Sequence, residues 1–327
     1  MTLLSLAVIR KAISKLGLCK MRRVDLHIHT TFSDGQNSLE DVVEYARLHD
    51  FSQVCISDHN SLAGTISLSE ENLPENFLFG LETRLPGLPD FLLYFPRLDC
   101  SNAFKIQAEF DSISQFDQDV TQKSCAELFQ GDMLVAWRQS RFYNSTGNKW
   151  LGTLQLAQLL SNSFVPDHKV VSQIRRLKSL CFANTKDCDS ARQLLLRSRL
   201  SWIVGLASNY AGHVSLAHPF REIVRRNRGC SAFNFTTFCS ALESLLNDMK
   251  KEGVESVEHI TAYSKSWWDE HFNFSLNAAN QCLFSLCDSI GFSLTSGTDS
   301  HDFRKVYDLL APCEDDDVQK RLADWIK

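Results

Sequence analysis

Apolar positions along the chain follow two alternating rhythms. Runs at 24–30, 53–57, 76–83 and 91–95 have the length and character of strands. Between the first two, Leu39, Val42, Val43 and Ala46 recur at helical spacing, and Ser38 with Asp41 three residues on forms an N-cap arrangement. After a change of pattern the alternation resumes. Residues 213–217, 254–260 and 292–295 read as strands. Between them Phe238, Leu242, Leu245, Leu246 and Met249 share one helical face, closed by Gly253. Ala279, Cys282, Leu283, Leu286 and Ile290 repeat the spacing before Gly291. Strands alternating with amphipathic helices predict an α/β protein with a parallel sheet, open or closed into a barrel.

From about 97 to 205 the rhythm differs. A polar stretch at 111–124 precedes mainly helical segments such as 151–160 and 191–206. This region predicts an inserted, mainly helical subdomain with loops. Its basic cluster Arg175, Arg176 and Lys178 reads as a solvated face. There is no internal repeat and no low-complexity tract.

The 327 residues carry a net charge of −5, which argues against general affinity for nucleic acid. Eleven scattered cysteines without a C-x-x-C pair indicate neither a disulfide framework nor a zinc knuckle. A reducing cytoplasm is the expected location. The apolar stretch at 2–9 is too short to span a bilayer, and its basic residues follow rather than precede it, unlike a secretory signal. It reads as a short basic amphipathic helix or an upstream extension, and membrane association is not expected. The three N-x-S/T matches, at Asn144, Asn234 and Asn273, are read as chance.

The candidate chemistry lies at the strand ends. His27 and His29 alternate with Ile28, so both imidazoles project from one face of a strand, and Asp34 follows just before Gly35. His59, Glu82, His218, and Asp299 with His301 sit at the ends of later strands. Functional groups in parallel α/β sheets gather at the carboxyl ends of strands. Imidazoles and carboxylates suit Mn, Fe or Zn, and seven or eight such donors exceed what one ion needs. Two or three ions are implied, a setting for hydrolysis by water acidified at the metals. No G-x-S-x-G elbow and no P-loop is present.

The strings DLHIHT, SDG, SDHN, GLE, AHP and GTDSH, in this order, resemble the PHP (polymerase and histidinol phosphatase) family of metal-dependent phosphoesterases. The resemblance implies a distorted (β/α)7 barrel at 22–303, interrupted by the helical insertion. An N-terminal extension at 1–21 and a tail at 304–327 flank it. It also implies a ligand set: His27, His29, Glu82 and Asp299 for one metal, Asp34, His59 and His301 for another, and Glu82 with His218 for the remaining one. Arg221, three residues after His218, would face the substrate phosphate. The implied substrate is a phosphorylated small molecule or short oligonucleotide. The inserted helical region and the AHP-plus-Arg pattern most resemble the branch that acts on nucleotide phosphomonoesters and degrades short RNA from its 5′ end; stable binding of duplex nucleic acid is not expected. A histidinol-phosphate-type metabolite phosphatase and a non-catalytic scaffold stand as alternatives.

Two departures from the family pattern are visible. The family places a further histidine about eleven residues after the bridging glutamate, where this chain has Phe91-Leu92-Leu93-Tyr94-Phe95. A G-R-P-H string of that branch has Gly147-Asn148-Lys149-Trp150 as its counterpart. Around the motifs, Asp58 reads as a supporting carboxylate. Glu258 reads as either supporting or surface. Arg225, Arg226 and Arg228 read as a solvated loop, and Trp267 and Trp268 as packing residues. His49, His168, His213, His259 and His271 lie outside any motif and read as core or surface histidines.

Overall fold

The computed structural model describes residues 24–49, 51–70, 73–85, 88–129, 131–146, 151–164, 166–183, 199–227, 233–260, 265–302, and residues 321, 323 and 326. The predicted N-terminal helix, Gly147 to Trp150, Arg228 and most of the acidic tail lie outside these residues.

Seven strands form one sheet whose spatial order follows the chain: β1 (Val24–Ile28), β2 (Gln53–Ile56), β3 (Phe77–Thr83), β4 (Phe91–Phe95), β5 (His213–Leu216), β6 (Ser256–Ile260) and β7 (Ser293–Gly297). The first three are mutually parallel, as are the last three. The sheet closes where Ile28 bridges Ser300, with the His29 N–H donating to Ser300 O at 2.9 Å. The result is a distorted (β/α)7 barrel.

One feature departs from an all-parallel sheet: β4 runs antiparallel to both β3 and β5. The connection at 84–90 is too short for the crossover that parallel neighbours require, so the chain returns as a hairpin-like pair. Buried residues run continuously along β1, β3 and β4, because one face meets the barrel interior and the other the surrounding helices. The interior itself is partly polar. The hydroxyls of Ser215 and Thr295 meet at 2.8 Å although β5 and β7 are not neighbours.

The barrel helices match the apolar periodicity. Helix α1 (Leu39–His49) starts at Ser38, whose hydroxyl accepts from the Asp41 N–H while the Asp41 carboxylate accepts from the Ser38 N–H. The helix Phe235–Lys251 buries Phe238, Leu242, Leu245, Leu246 and Met249, and the chain leaves it through Gly253 at φ +90°. The helix Leu276–Ile290 ends on Gly291 at φ +83°. Cys239 and Cys282 pair as a disulfide between these two helices, the one cross-link among the described residues.

Within 97–205 the polar stretch is helical rather than irregular. It belongs to one 26-residue helix, Cys100–Cys125, capped by Asp99 and docked on the barrel through Ala103, Ile106, Phe110, Ile113 and Val120. A separate small core gathers Trp137, Phe142, Leu151, Leu156 and Ile174. Arg175 and Arg176 are exposed as expected, but Lys178 is not part of a solvated face. It is 4% exposed, pairs with Asp117, and donates to the Thr153 hydroxyl at 2.6 Å. A buried ammonium is tolerable only with such partners. No described helix is long and apolar enough to cross a membrane.

Candidate metal centre

Three groups of side chains offer ligand atoms within 4.8 Å of one another: His29, Asp34, His59 and His301; His27, Glu82 and His218; and His27, His29 and Asp299. All eight residues singled out at the strand ends therefore converge. They arrive from β1, β2, β3, β5 and β7, all at one end of the barrel. The Nε2 atoms of His27 and His29 stand 3.0 Å apart, as alternation on a strand dictates.

Backbone conformation sets the angles of approach. Among the described residues, Asn60, His218 and Asp299 hold positive φ at the ends of β2, β5 and β7. Left-handed backbone is costly for a residue with a side chain, and such strain concentrates at functional sites. Gly35 answers a different constraint. A Cβ there would lie 2.4 Å from the His29 carbonyl oxygen, so only glycine lets the Asp34 loop fold back over β1. Gly297 likewise admits the close passage of β7 past His27, whose Cβ would be 2.4 Å away.

Supporting carboxylates hold the imidazoles and loops. Glu258 is fully buried. One oxygen accepts from His27 Nδ1–H at 2.7 Å and the other from the His218 backbone N–H at 2.9 Å. This resolves the two readings of Glu258 in favour of support. Asp58 accepts from the Thr30 N–H and from the hydroxyls of Thr30 and Ser33, at 2.5–2.8 Å, and offers no atom to the cluster. Asp25, which sequence reasoning missed, accepts from the Thr298 N–H and hydroxyl at 3.0 and 2.9 Å. Burial pushes its carboxyl up to about 7.

The cluster is electrostatically unsatisfied by itself. Burial would raise the carboxyls of Asp34 and Glu82, but the surrounding imidazoles drive both well below the usual range. Asp299 is held down in the same way, chiefly by Arg221 and His27 against its burial. Burial and Arg84 pull His59 down, yet Asp34 and Glu82 outweigh them and lift it to about 9. Burial, His301 and His59 lower His29. Despite this crowding, Asp34 Oδ1, Glu82 Oε2 and both ring nitrogens of His59 are buried without a hydrogen-bond partner. His59 Nδ1 lies 2.7 Å from Glu82 Oε2 without hydrogen-bond alignment. Buried polar atoms left this way need an explanation, and bound cations supply one. The nitrogen and oxygen donors fit first-row divalent metals.

Around this core, Arg221 is half exposed and binds Asp299 Oδ2 through Nη1 at 2.5 Å. Arg225 and Arg226 are solvent-facing but lie on the helix Pro219–Arg226 rather than in a loop, where both pair with Glu222 one turn back. Trp268 is buried and donates to the Phe274 carbonyl, as packing requires. His213 pairs with Glu255, His271 with the Trp267 carbonyl, and His259 packs on Phe284. No residue of β4 contributes a donor; Leu92, opposite Glu82 in the sheet register, is fully buried. A second side chain that the sequence reading overlooked is Arg84. It lies two positions beyond Glu82, hence on the same face, and reaches Asp34, Glu82 and Asp90 at 3.7–3.8 Å.

A known structure shares this fold, and a second aligns with it at a lower score. A candidate metal-dependent phosphoesterase from Bifidobacterium adolescentis aligns with a TM-score of 0.50 and 20% identity, over 86% of this chain and 88% of that one. An amidohydrolase from Chromobacterium violaceum, with bound sulfate and no metal, aligns with a TM-score of 0.49 and 16% identity over 86% and 88% of the two chains. No curated protein matches in sequence. The model of the PHP domain, however, matches residues 25–303. With that match spanning the whole barrel and its insertion, the chain belongs to the PHP domain family.

Proposed function

We propose that this chain is a metal-dependent phosphoesterase acting on phosphomonoesters, with a nucleotide or the 5′ end of a short RNA as its substrate. The observation that carries the reading is the convergence of eight donor residues, with atoms of Asp34, His59 and Glu82 buried and unpartnered among them. His27, His29, Glu82 and Asp299 would hold one metal, and Asp34, His59 and His301 another. Glu82 and His218 would complete the set. Mn, Fe or Zn bound there supplies acidified water and stabilises charge on the reacting phosphoryl oxygens.

The protein's own part is positioning. Glu258 fixes His27 with Nδ1 protonated, which leaves Nε2 free as a donor. Asp58 holds the loop that presents Asp34, through Thr30 and Ser33. Arg221 stands beside Asp299 at the mouth, where its planar guanidinium suits a phosphate. The strand-end placement keeps the scissile group at the open end of the barrel. The insertion, seated on the loop through Gln158, would delimit the substrate.

Metal analysis of the purified protein reconstituted with Mn should find at least two equivalents. A phosphate-release screen across 3′,5′-bisphosphonucleotides, short 5′-phosphorylated RNA and histidinol phosphate should favour the first two. His59→Ala and Glu82→Ala should each abolish release while the barrel stays folded. A protein that binds no metal and stays inert after Mn addition would overturn the proposal.

A further inference from the structure

Arg84 occupies the side of the cluster to which β4 brings no donor. Its backbone is clamped on both edges by one side chain: the Arg84 N–H donates to Asn60 Oδ1 at 2.9 Å, and Asn60 Nδ2–H donates to the Arg84 carbonyl at 3.2 Å. Asn60 is the neighbour of His59, so the guanidinium is registered against the cluster. Nη1 faces Asp34 Oδ2 at 3.7 Å, Nη2 faces Glu82 Oε2 at 3.8 Å, and Nε faces Asp90 Oδ2 at 3.7 Å. None of these is a hydrogen bond, and buried Nε has no acceptor. The side chain is 23% exposed. A guanidinium held by three carboxylates and hydrogen-bonded to none keeps its donors available for an incoming ligand.

Two further facts bear on what that ligand is. Asp34 belongs to one group of donors and Glu82 to another, so Arg84 stands between the two groups. The side chain opposite Glu82 on β4 is the apolar Leu92. A further divalent ion on that side would lack a β4 donor and would face a fixed positive charge. A planar fork of N–H donors beside the metals instead matches the paired oxygens of a phosphoryl group.

Building on the phosphoesterase reading above, we infer that Arg84 replaces a third metal ion: the cluster is binuclear, and the Arg84 guanidinium grips the substrate's phosphoryl oxygens. Arg84 and Arg221 approach the cluster from different parts of the barrel, Arg84 from just past the end of β3 and Arg221 from the helix Pro219–Arg226.

The test uses the full-length protein reconstituted with Mn, metal counting by mass spectrometry, and calorimetric titration with inorganic phosphate. Wild type should hold two ions. Arg84→Met should keep them with equal or tighter Mn affinity, since a repelling charge is gone. It should bind phosphate at least tenfold more weakly, with Arg84→Lys restoring part of the loss. Three ions in wild type, or unchanged phosphate affinity in Arg84→Met, would overturn the inference while leaving the phosphoesterase reading intact. Parallel loss of Mn and phosphate affinity would also overturn it, by making Arg84 a brace for the carboxylates. Wild type without metal would overturn both readings. Should Arg84→Met fail to fold, Arg84→Gln carries the same comparison.

Discussion

His27 and Glu258 form a buried pair, Nδ1 to Oε1 at 2.7 Å, linking the first strand of the barrel to the sixth. The pair fixes which imidazole nitrogen faces the cluster. Because the second oxygen of Glu258 takes the His218 backbone N–H, one carboxylate orients donors from two strands. Losing such a partner commonly weakens metal binding by about 10–100-fold. Glu258→Gln should therefore lower Mn affinity by about that factor in a chelator competition, with the fold retained. Unchanged affinity would show that His27 is oriented by other contacts.

Protons and metals compete for His59. Its pKa in the folded, metal-free protein is about 9, against 6.5 for an ordinary histidine. A group raised on folding stabilises the fold fully below its unfolded pKa and loses that contribution as pH rises through the folded one. The metal-free protein should accordingly lose thermal stability between pH 6.5 and pH 9. Mn requires neutral imidazole, so its affinity should rise over the same interval. Melting curves with and without Mn at both pH values should cross-compare in opposite directions.

Gly35 tests the loop geometry alone. An alanine Cβ would sit against the His29 carbonyl, a backbone atom that cannot swing aside. Gly35→Ala should cost about 1–3 kcal/mol in denaturant unfolding of the metal-free protein, the usual range for forced overpacking. A neutral effect would mean that the Asp34 loop can refold around an added methyl group.

Gln158 tests whether the insertion supports the site. Its Nε2 donates to the Ser33 and Phe164 carbonyls at 3.0 and 3.1 Å, and the side chain is buried. Gln158→Ala should destabilise by about 1–3 kcal/mol, as two carbonyls lose a buried partner. It should also weaken Mn retention although no donor has changed. Destabilisation without any effect on Mn would assign Gln158 to packing only.

The eight donors were legible because each sits in a short string at the end of an apolar run, where alternation and α/β topology already dictate convergence. Glu258 was harder. Glu258 and His259 are adjacent and point to opposite faces, and only the sheet register tells which one enters the barrel. Arg84 carried no motif, yet its spacing of two from Glu82, one residue past the end of β3, was a usable signal. The antiparallel course of β4 was implicit in a connection too short to cross over. The helix Cys100–Cys125 was obscured by its polar residues at 111–124, although Ala103, Ile106, Phe110 and Ile113 keep helical spacing.

The barrel closes through Ser300, which puts the first and last strands side by side and lets them share the cluster. During synthesis this imposes an order of events. His27 and His29 leave the ribosome early and wait for some 270 residues before Asp299 and His301 emerge to join them. A nascent chain therefore cannot complete the donor cluster until its last strand is made, and a chain ending before Asp299 would lack both the closing bridge at Ser300 and two of the eight donors.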